Sequence, residues 1–171
     1  YFFSQHRIDS FDDLQQRRIW LWQGDPLGQA MFRAGDLAPV PLSITDVYTS
    51  LSTGLIDTVY CTPLAAIALQ WHTRLDYMSR LPMANGIGGL VVASRFFDQL
   101  PSDLQQLLRE TGAQASRELI RATREDNATS LEVLREEGIE FVMPPESLDR
   151  SELLEMRDRA AARSRISSSS E

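Results

Sequence analysis

Along the first half of the chain, hydrophobic positions recur with a period that switches repeatedly between two and three-to-four. "YFFS" (1–4) reads as a strand, and in "DSFDDLQQ" either Asp9 or Ser10 is placed to cap a short helix. "RRIWLW" (17–22) predicts a second strand with Trp20 and Trp22 on one face, because side chains alternate along extended backbone. Gly24, Asp25 and Pro26 then break the strand and open a helix over about 26–35, with Leu27, Met31 and Ala34 on one face. The prolines of "LAPVPL" (37–42) forbid a helix interior and predict a short extended segment at a strand end or sheet edge. Ser43, followed three residues later by Asp46, opens a helix in "SITDVYTSLSTG" (43–54), where Ile44, Val47, Tyr48 and Leu51 keep helical spacing and Gly54 is the stop. "LIDTVYC" (55–61) has the pattern of a buried strand, and "TPLAAIALQWH" (62–72) that of a helix with Pro63 in its first turn.

The second half is patterned more coarsely. "GIGGLVVAS" (86–94) predicts a strand, followed by one very long helix over 101–138, bent near Gly112. Ser102 and Gln105 read as its capping box, Leu104, Leu107, Leu108, Ala115, Leu119 and Ala122 trace an apolar stripe, and Gly138 closes it. "IEFVM" (139–143) predicts a last strand and "SLDRSELLEMRDRAAARSR" (147–165) a final amphipathic helix, with a disordered tail over 166–171. Strand and helix alternating at such short intervals indicate an α/β architecture, and no internal repeat is present.

Composition narrows the function classes. With 43% hydrophobic and 24% charged residues the 171-residue chain has globular composition and length enough for one real core, or for part of a two-lobed protein. A formal net charge of −7 argues against a phosphate-binding surface, so nucleic acid is not an expected partner. No apolar run reaches the roughly 20 residues that span a bilayer. A single cysteine, Cys61, precludes an internal disulfide, and two histidines, His6 and His72, without ligand-spaced cysteines give no zinc pattern; no cofactor or metal is expected. The chain starts at Tyr1 without methionine or export signal and reads as a processed or truncated piece.

Candidate chemistry is sparse. "GIGGL" lacks the full G-x-G-x-x-G pattern and is not followed directly by a helix, so it reads as a glycine-rich strand. His72, beside Trp71 at a helix end, reads as a capping or packing histidine, the alternative being a general base. Cys61 lies between a strand end and a helix N-terminus, a place that can activate a thiol, but "VYCTP" supplies no adjacent base. The more general signal is positional. The end of "RRIWLW", the entry to "SITDVY" and "VYCTP" are three strand-to-helix junctions, and in α/β sheets such junctions line the ligand-binding edge. Their side chains, Trp20, Trp22, Ile44, Tyr60, Cys61 and Thr62, are mainly aromatic or apolar, suited to an apolar or neutral ligand if they do not simply close the core.

"TDVYTSLSTGLIDTVYCTP" (45–63) resembles the S-E-V-Y-x-A-L-Q-T-G-x-V-D-G-x-E-N-P stretch of the DctP-type periplasmic solute receptors of TRAP (tripartite ATP-independent periplasmic) transporters. "VVASRFFDQLPSDLQQLLRETGAQASRE" is similar to the strand, F-x-x-L-P-x-x-x-Q and long helix of that family, "LEVLREEGIEFVMPP" to its closing helix–glycine–strand, and "IDSFDDLQQRRIWLW" to its I-x-x-x-x-D-L-K-G-L-K-x-R-V-P. The resemblance covers nearly all of residues 1–150 and implies a periplasmic-binding-protein-like (class II) α/β fold, of which this chain is the second half with the N-terminal lobe missing. Residues 1–80 would form the second lobe, and residues 81–165 a crossing strand, the long helix and a C-terminal helix. It implies an exported, non-enzymatic receptor that closes over a small organic solute and docks on a membrane permease, with a homodimer through the long helix as in some members.

Two departures stand out. The family's carboxylate-binding arginine falls at Trp20 and its following proline at Trp22, while Arg17 and Arg18 lie nearby but off the matching position. The family asparagine falls at Cys61 or Thr62, depending on the gap, and an apolar residue is kept as Ile44. Without a bidentate arginine a buried carboxylate loses its best partner. The expected solute is therefore less acidic and more apolar than a C4-dicarboxylate, gripped partly by Trp20 and Tyr60. A small α/β enzyme using Cys61 or His72, and an interaction protein on the receptor fold that no longer binds solute, are the competing readings.

Overall fold

The computed structural model describes residues 1–80, 82–83, 86 and 88–143. The described residues hold six three-residue strands: β1 (Phe2–Ser4), β2 (Trp20–Trp22), β3 (Val40–Leu42), β4 (Thr58–Tyr60), β5 (Tyr77–Ser79) and β6 (Glu140–Val142). β4-β1-β5-β6 form one sheet and β2-β3 a parallel pair, and a parallel bridge from Ile19 to Thr58 joins the two. β1 runs antiparallel to both β4 and β5, and β5 is parallel to β6. The carboxyl ends of β2, β3 and β4 therefore lie along one edge, the arrangement that the three strand-to-helix junctions predict.

Alternation along the strands sends side chains to two different cores. Phe3, Trp20, Val59 and Met78 pack with Val47 and Leu51 of α3 (Val47–Thr53), Ala66 of α4 (Pro63–Ala68), Trp71, and Leu134 of α6 (Ser102–Glu136). Ile19 and Leu21 point the other way, into a smaller cluster with Leu14 of α1 (Phe11–Gln15), Phe32 of α2 (Pro26–Ala34) and Leu37. Ser10 caps α1 by accepting the Asp13 N–H, which settles between the two capping candidates. On α2 the buried positions are Gly28, Phe32 and Ala34, and Leu27, expected inward, is 77% exposed. Ala34 is buried as expected and Met31 packs against the smaller cluster, so the buried face is centred on Phe32, and Leu27 in the first turn lies outside it.

Further differences have local causes. A 3₁₀ turn (Ile44–Asp46) precedes α3, and Ser43 bonds the Asp46 carboxylate (2.7 Å) instead of capping backbone. Only Val47 and Leu51 of the predicted face are buried, while Ile44 and Tyr48 face out. α4 stops at Ala68 because Gln70 turns left-handed (φ 60°), and a second 3₁₀ turn (Trp71–Arg74) folds Trp71 back into the core. β5 is a strand that its sequence, "YMS", is too short to announce. Of the strand predicted at 86–94, the described residues form none. Residues 88–93 make no ladder, Leu90 and Val91 are exposed, and Ser94 begins the short helix α5 (Ser94–Phe97). α6 runs without interruption through Gly112, where Leu90 seats against the helix, and its N-cap is Pro101, with no Ser102–Gln105 box; Gln105 reaches back to the Leu100 carbonyl instead. Within α6 only Ser130 and Leu134 are buried, so the apolar stripe at Leu104, Leu107, Leu108 and Leu119 lies exposed. Gly138 (φ 91°) closes the helix as predicted, with the Ile139 N–H bonded to the Leu134 carbonyl. The expected C-terminal helix and tail lie outside the described residues.

One buried acid ties the halves of the sheet together. Asp57, just before β4, accepts the Arg18 backbone N–H and the Arg18 Nε–H (both 3.0 Å) and the Thr58 hydroxyl (3.0 Å), while its own backbone N–H goes to the Arg18 carbonyl (3.1 Å). Asp57 is 3% exposed, so removing the carboxylate takes the acceptor from three donors in the seam between β2 and β4. Asp57→Ala is expected to cost about 2–3 kcal/mol in urea unfolding, and Asp57→Asn, which keeps one acceptor oxygen, roughly half of that.

Candidate ligand-binding edge

Each candidate residue reaches the edge through a local rule. Trp20 and Trp22 share a face of β2, but only Trp20 is covered. It is 5% exposed, stacked on Tyr60 (5.2 Å between rings, 25° between planes), met edge-on by Trp71 (5.2 Å, 75°), and its indole N–H donates to the Leu42 carbonyl (3.1 Å). Trp22, one strand step further on, has passed the end of this cover and is 54% exposed. Ile44 follows β3 and is also exposed. Tyr60 ends β4, with its ring against Trp20 on one side and Phe32 on the other (5.7 Å).

The Tyr60 hydroxyl is the polar centre of the edge. It donates to Asp25 Oδ2 (3.1 Å) and accepts the Trp22 backbone N–H (3.2 Å). Burial, reinforced by the Asp25 carboxylate and opposed by the Trp22 N–H, pushes the phenol up to about 12. Asp25 also caps α2, accepting the Gly28 N–H on Oδ1 (2.9 Å). A Cβ at Gly28 would stand 2.5 Å from Asp25 Oδ2, so a larger residue there would displace the carboxylate. The sequence marks Asp25 only as part of the turn that opens α2. Its role depends on Tyr60, thirty-five residues away in the chain, and the one local sign is its place before proline at a helix start.

Cys61 and Thr62 complete the edge. Cys61 is partly buried and donates its backbone N–H to the Tyr1 carbonyl (3.1 Å); burial pushes the thiol up to about 12. Thr62 caps α4 by accepting the Ala65 N–H (3.2 Å), and Asn127 of α6 accepts the neighbouring Leu64 N–H (3.2 Å). His72 Nδ1 lies 3.1 Å from the Ala66 carbonyl, a packing role within the α4 turn. The structure thus gathers Trp20, Trp22, Tyr60 and Asp25 by direct contact and sets Ile44, Cys61 and Thr62 on the same sheet edge. Among the described residues no cluster of His, Cys, Asp and Glu could hold a metal ion. A separate cavity of about 430 Å³, between residues 88–98 and the first half of α6, is lined by none of the six predicted residues.

Comparison with known proteins agrees with this architecture. A solute-binding protein of Sulfitobacter sp. (strain NAS-14.1) is 24% identical over 112 residues, 66% of this chain and 34% of that protein. A TRAP periplasmic solute binding protein from Pseudomonas putida F1, with bound D-glucuronate, superposes with a TM-score of 0.76 at 20% identity, over 95% of this chain and 53% of its own. One from Xanthobacter autotrophicus Py2, with bound β-D-galacturonate, gives 0.78 at 17% over 93% and 53%. A Bordetella pertussis extracytoplasmic solute receptor binding pyroglutamic acid gives 0.72 at 17% over 96% and 53%. The chain therefore spans about half the length of the solved relatives and a third of the Sulfitobacter protein. The fold is that of TRAP periplasmic binding proteins, and the model of the DctP family matches residues 2–163. The chain belongs to the bacterial extracellular solute-binding proteins of family 7.

Proposed function

We propose that this chain is part of the substrate-binding component of a TRAP-type secondary uptake system, which captures a small organic solute and hands it to a membrane permease. The observation that carries this reading is the family match over residues 2–163, nearly the whole chain. Capture followed by hinge closure would be the work, with no bond made or broken. The place of action is the periplasm; no helix among the described residues is long and apolar enough to cross a membrane. Residues 1–80 act as one lobe, residues 81–165 as the connection across the hinge, and the exposed stripe of α6 supports a contact with a second copy.

On this reading Trp22, Ile44 and Thr62 touch the solute from the open edge, Tyr60 and Cys61 form its wall, and Trp20 is the floor on which Tyr60 rests. Relatives of this fold carry D-glucuronate, β-D-galacturonate or pyroglutamic acid. Trp20 stands at the position of the family's arginine, and its indole N–H is already committed to Leu42. A solute less acidic than a C4-dicarboxylate follows.

Against an enzyme stands the state of the two nucleophile and base candidates. A thiol at about 12 leaves on the order of one thiolate in 10⁵ at neutral pH, and His72 is turned into its own helix. Iodoacetamide at pH 7 is expected to label Cys61 only after unfolding; fast labelling of the native protein would revive the enzyme.

The receptor itself is tested on the intact gene product with a thermal-shift panel of sugars, uronates, amino acids and C4-dicarboxylates. Selective stabilisation by one solute class is expected. Trp22→Ala should weaken that binding about tenfold or more and, being exposed, shift stability by less than about 0.5 kcal/mol. Selective stabilisation by succinate-like diacids would defeat the solute class, and a full panel without response would defeat the receptor.

A further inference from the structure

Asparagine is a poor helix former because its short amide competes for backbone groups, yet Asn127 stands in the interior of the 35-residue helix α6. Both ends of its amide are used. Nδ2 donates to the Thr123 carbonyl one turn back (2.7 Å), and Oδ1 accepts the Leu64 N–H at the start of α4 (3.2 Å). The two bonds fix the orientation of the amide, since a flip would set its amino group against the Leu64 N–H and its oxygen against the Thr123 carbonyl. Asn127 thus acts as a helix cap supplied by another helix, 63 residues away in the chain.

The first turn of α4 shows what that cap does. A helix start leaves its first N–H groups without partners inside the helix. Pro63 has none to satisfy, the Ala65 N–H goes to the Thr62 hydroxyl (3.2 Å) and the Ala66 N–H to the Thr62 carbonyl (3.0 Å). The Leu64 N–H remains, and α6 takes it. With six residues α4 is too short to hold its own start, so the place of Thr62 depends on the groups that grip this turn.

Asn127 also marks a boundary along α6. Beyond it the helix packs on the sheet: Ser130 and Leu134 are buried, and Leu131 lies against the larger core. None of residues 102–126 is buried, a stretch of about 37 Å at 1.5 Å per residue. The cap therefore sits at the root of this arm, where a tilt of α6 reaches the Thr62 turn directly.

We infer that Asn127 is a positioning residue of the ligand edge, which holds the first turn of α4, and with it Thr62, in place for the solute. The inference rests on the receptor reading above, in which Thr62 touches the solute, and adds a group that acts through Thr62 from a different element.

The test compares the intact gene product with its Asn127→Leu and Asn127→Asp variants. Leucine removes the acceptor at similar volume, whereas aspartate keeps an oxygen for Leu64. Isothermal titration at pH 7 uses D-galactose, D-galacturonate, pyroglutamic acid and succinate, one from each class of the thermal-shift panel. Amide exchange over residues 62–68 is followed by mass spectrometry without solute. Asn127→Leu is expected to speed this exchange about fivefold or more, and to weaken by a similar factor the binding of whichever probe the wild type takes. Asn127→Asp should stay within about twofold of the wild type in both. Melting temperatures within about 4 °C of one another are expected, so that weaker binding reports position rather than unfolding. Faster exchange with unchanged affinity would leave Asn127 a purely structural cap and overturn the inference. Unchanged exchange, or Asn127→Asp binding as weakly as Asn127→Leu, would overturn it too, and in each case the receptor stands. A wild-type protein silent to all four probes would remove the receptor reading, and this inference with it.

Discussion

The open edge of the sheet depends on where one indole ring lies. Trp20 is held from three directions by β3, β4 and the turn after α4, through its N–H to Leu42, its stack on Tyr60 and the edge of Trp71. A ring of this size brings large apolar area into the core and finds a partner for its one polar atom, the condition under which tryptophan is buried without penalty. Because it bridges strands that pair over only three residues each, it supplies contacts that such short ladders cannot. Tyr60 is fixed as a consequence, and through Tyr60 so are Asp25 and the backbone of Trp22.

That placement has an electrostatic consequence. An arginine at the same position would bring a fixed cation to the edge; the tryptophan brings none and closes the space beneath. The starts of α2 and α4 are closed by their own prolines and caps, whereas the 3₁₀ turn and α3 that follow β3 have no side-chain cap. The hydrogen bonds at the starts of α2 and α4 tie N–H groups to Asp25, Asn127 and Thr62 within the fold.

Sequence pattern carried the parallel junctions and most helices, because helices satisfy their own backbone and their signals are local: Ser10, Thr62, Gly54 and Gly138 act where they stand. It carried the family as well, since several ordered motifs agree over most of the chain. It did not carry the inside–outside assignment of the edge. Trp20 and Trp22 are equivalent by period, and Ile44 and Val47 by helical spacing; which of each pair is covered depends on Trp71 and Tyr60, distant in sequence. Asp57 and Asp25 were invisible for the same reason, their partners being thirty-five or more residues away.

The stretch 86–94 marks the limit of pattern in the other direction. "GIGGLVVAS" has β-branched and apolar residues enough for a strand, yet residues 88–93 form none. A helix is a property of its own segment, but a strand exists only with a neighbour to take its hydrogen bonds, and propensity measures fit to such a surface rather than a backbone preference. β5 shows the converse, with unremarkable residues made into a strand because β1 and β6 flank them. The exposed Leu90 and Val91 thus lack a neighbouring strand, not a strand-forming sequence. The same reasoning applies to the edge formed by β2, β3 and β4: Trp22 and Ile44 are exposed because nothing among the described residues lies over them.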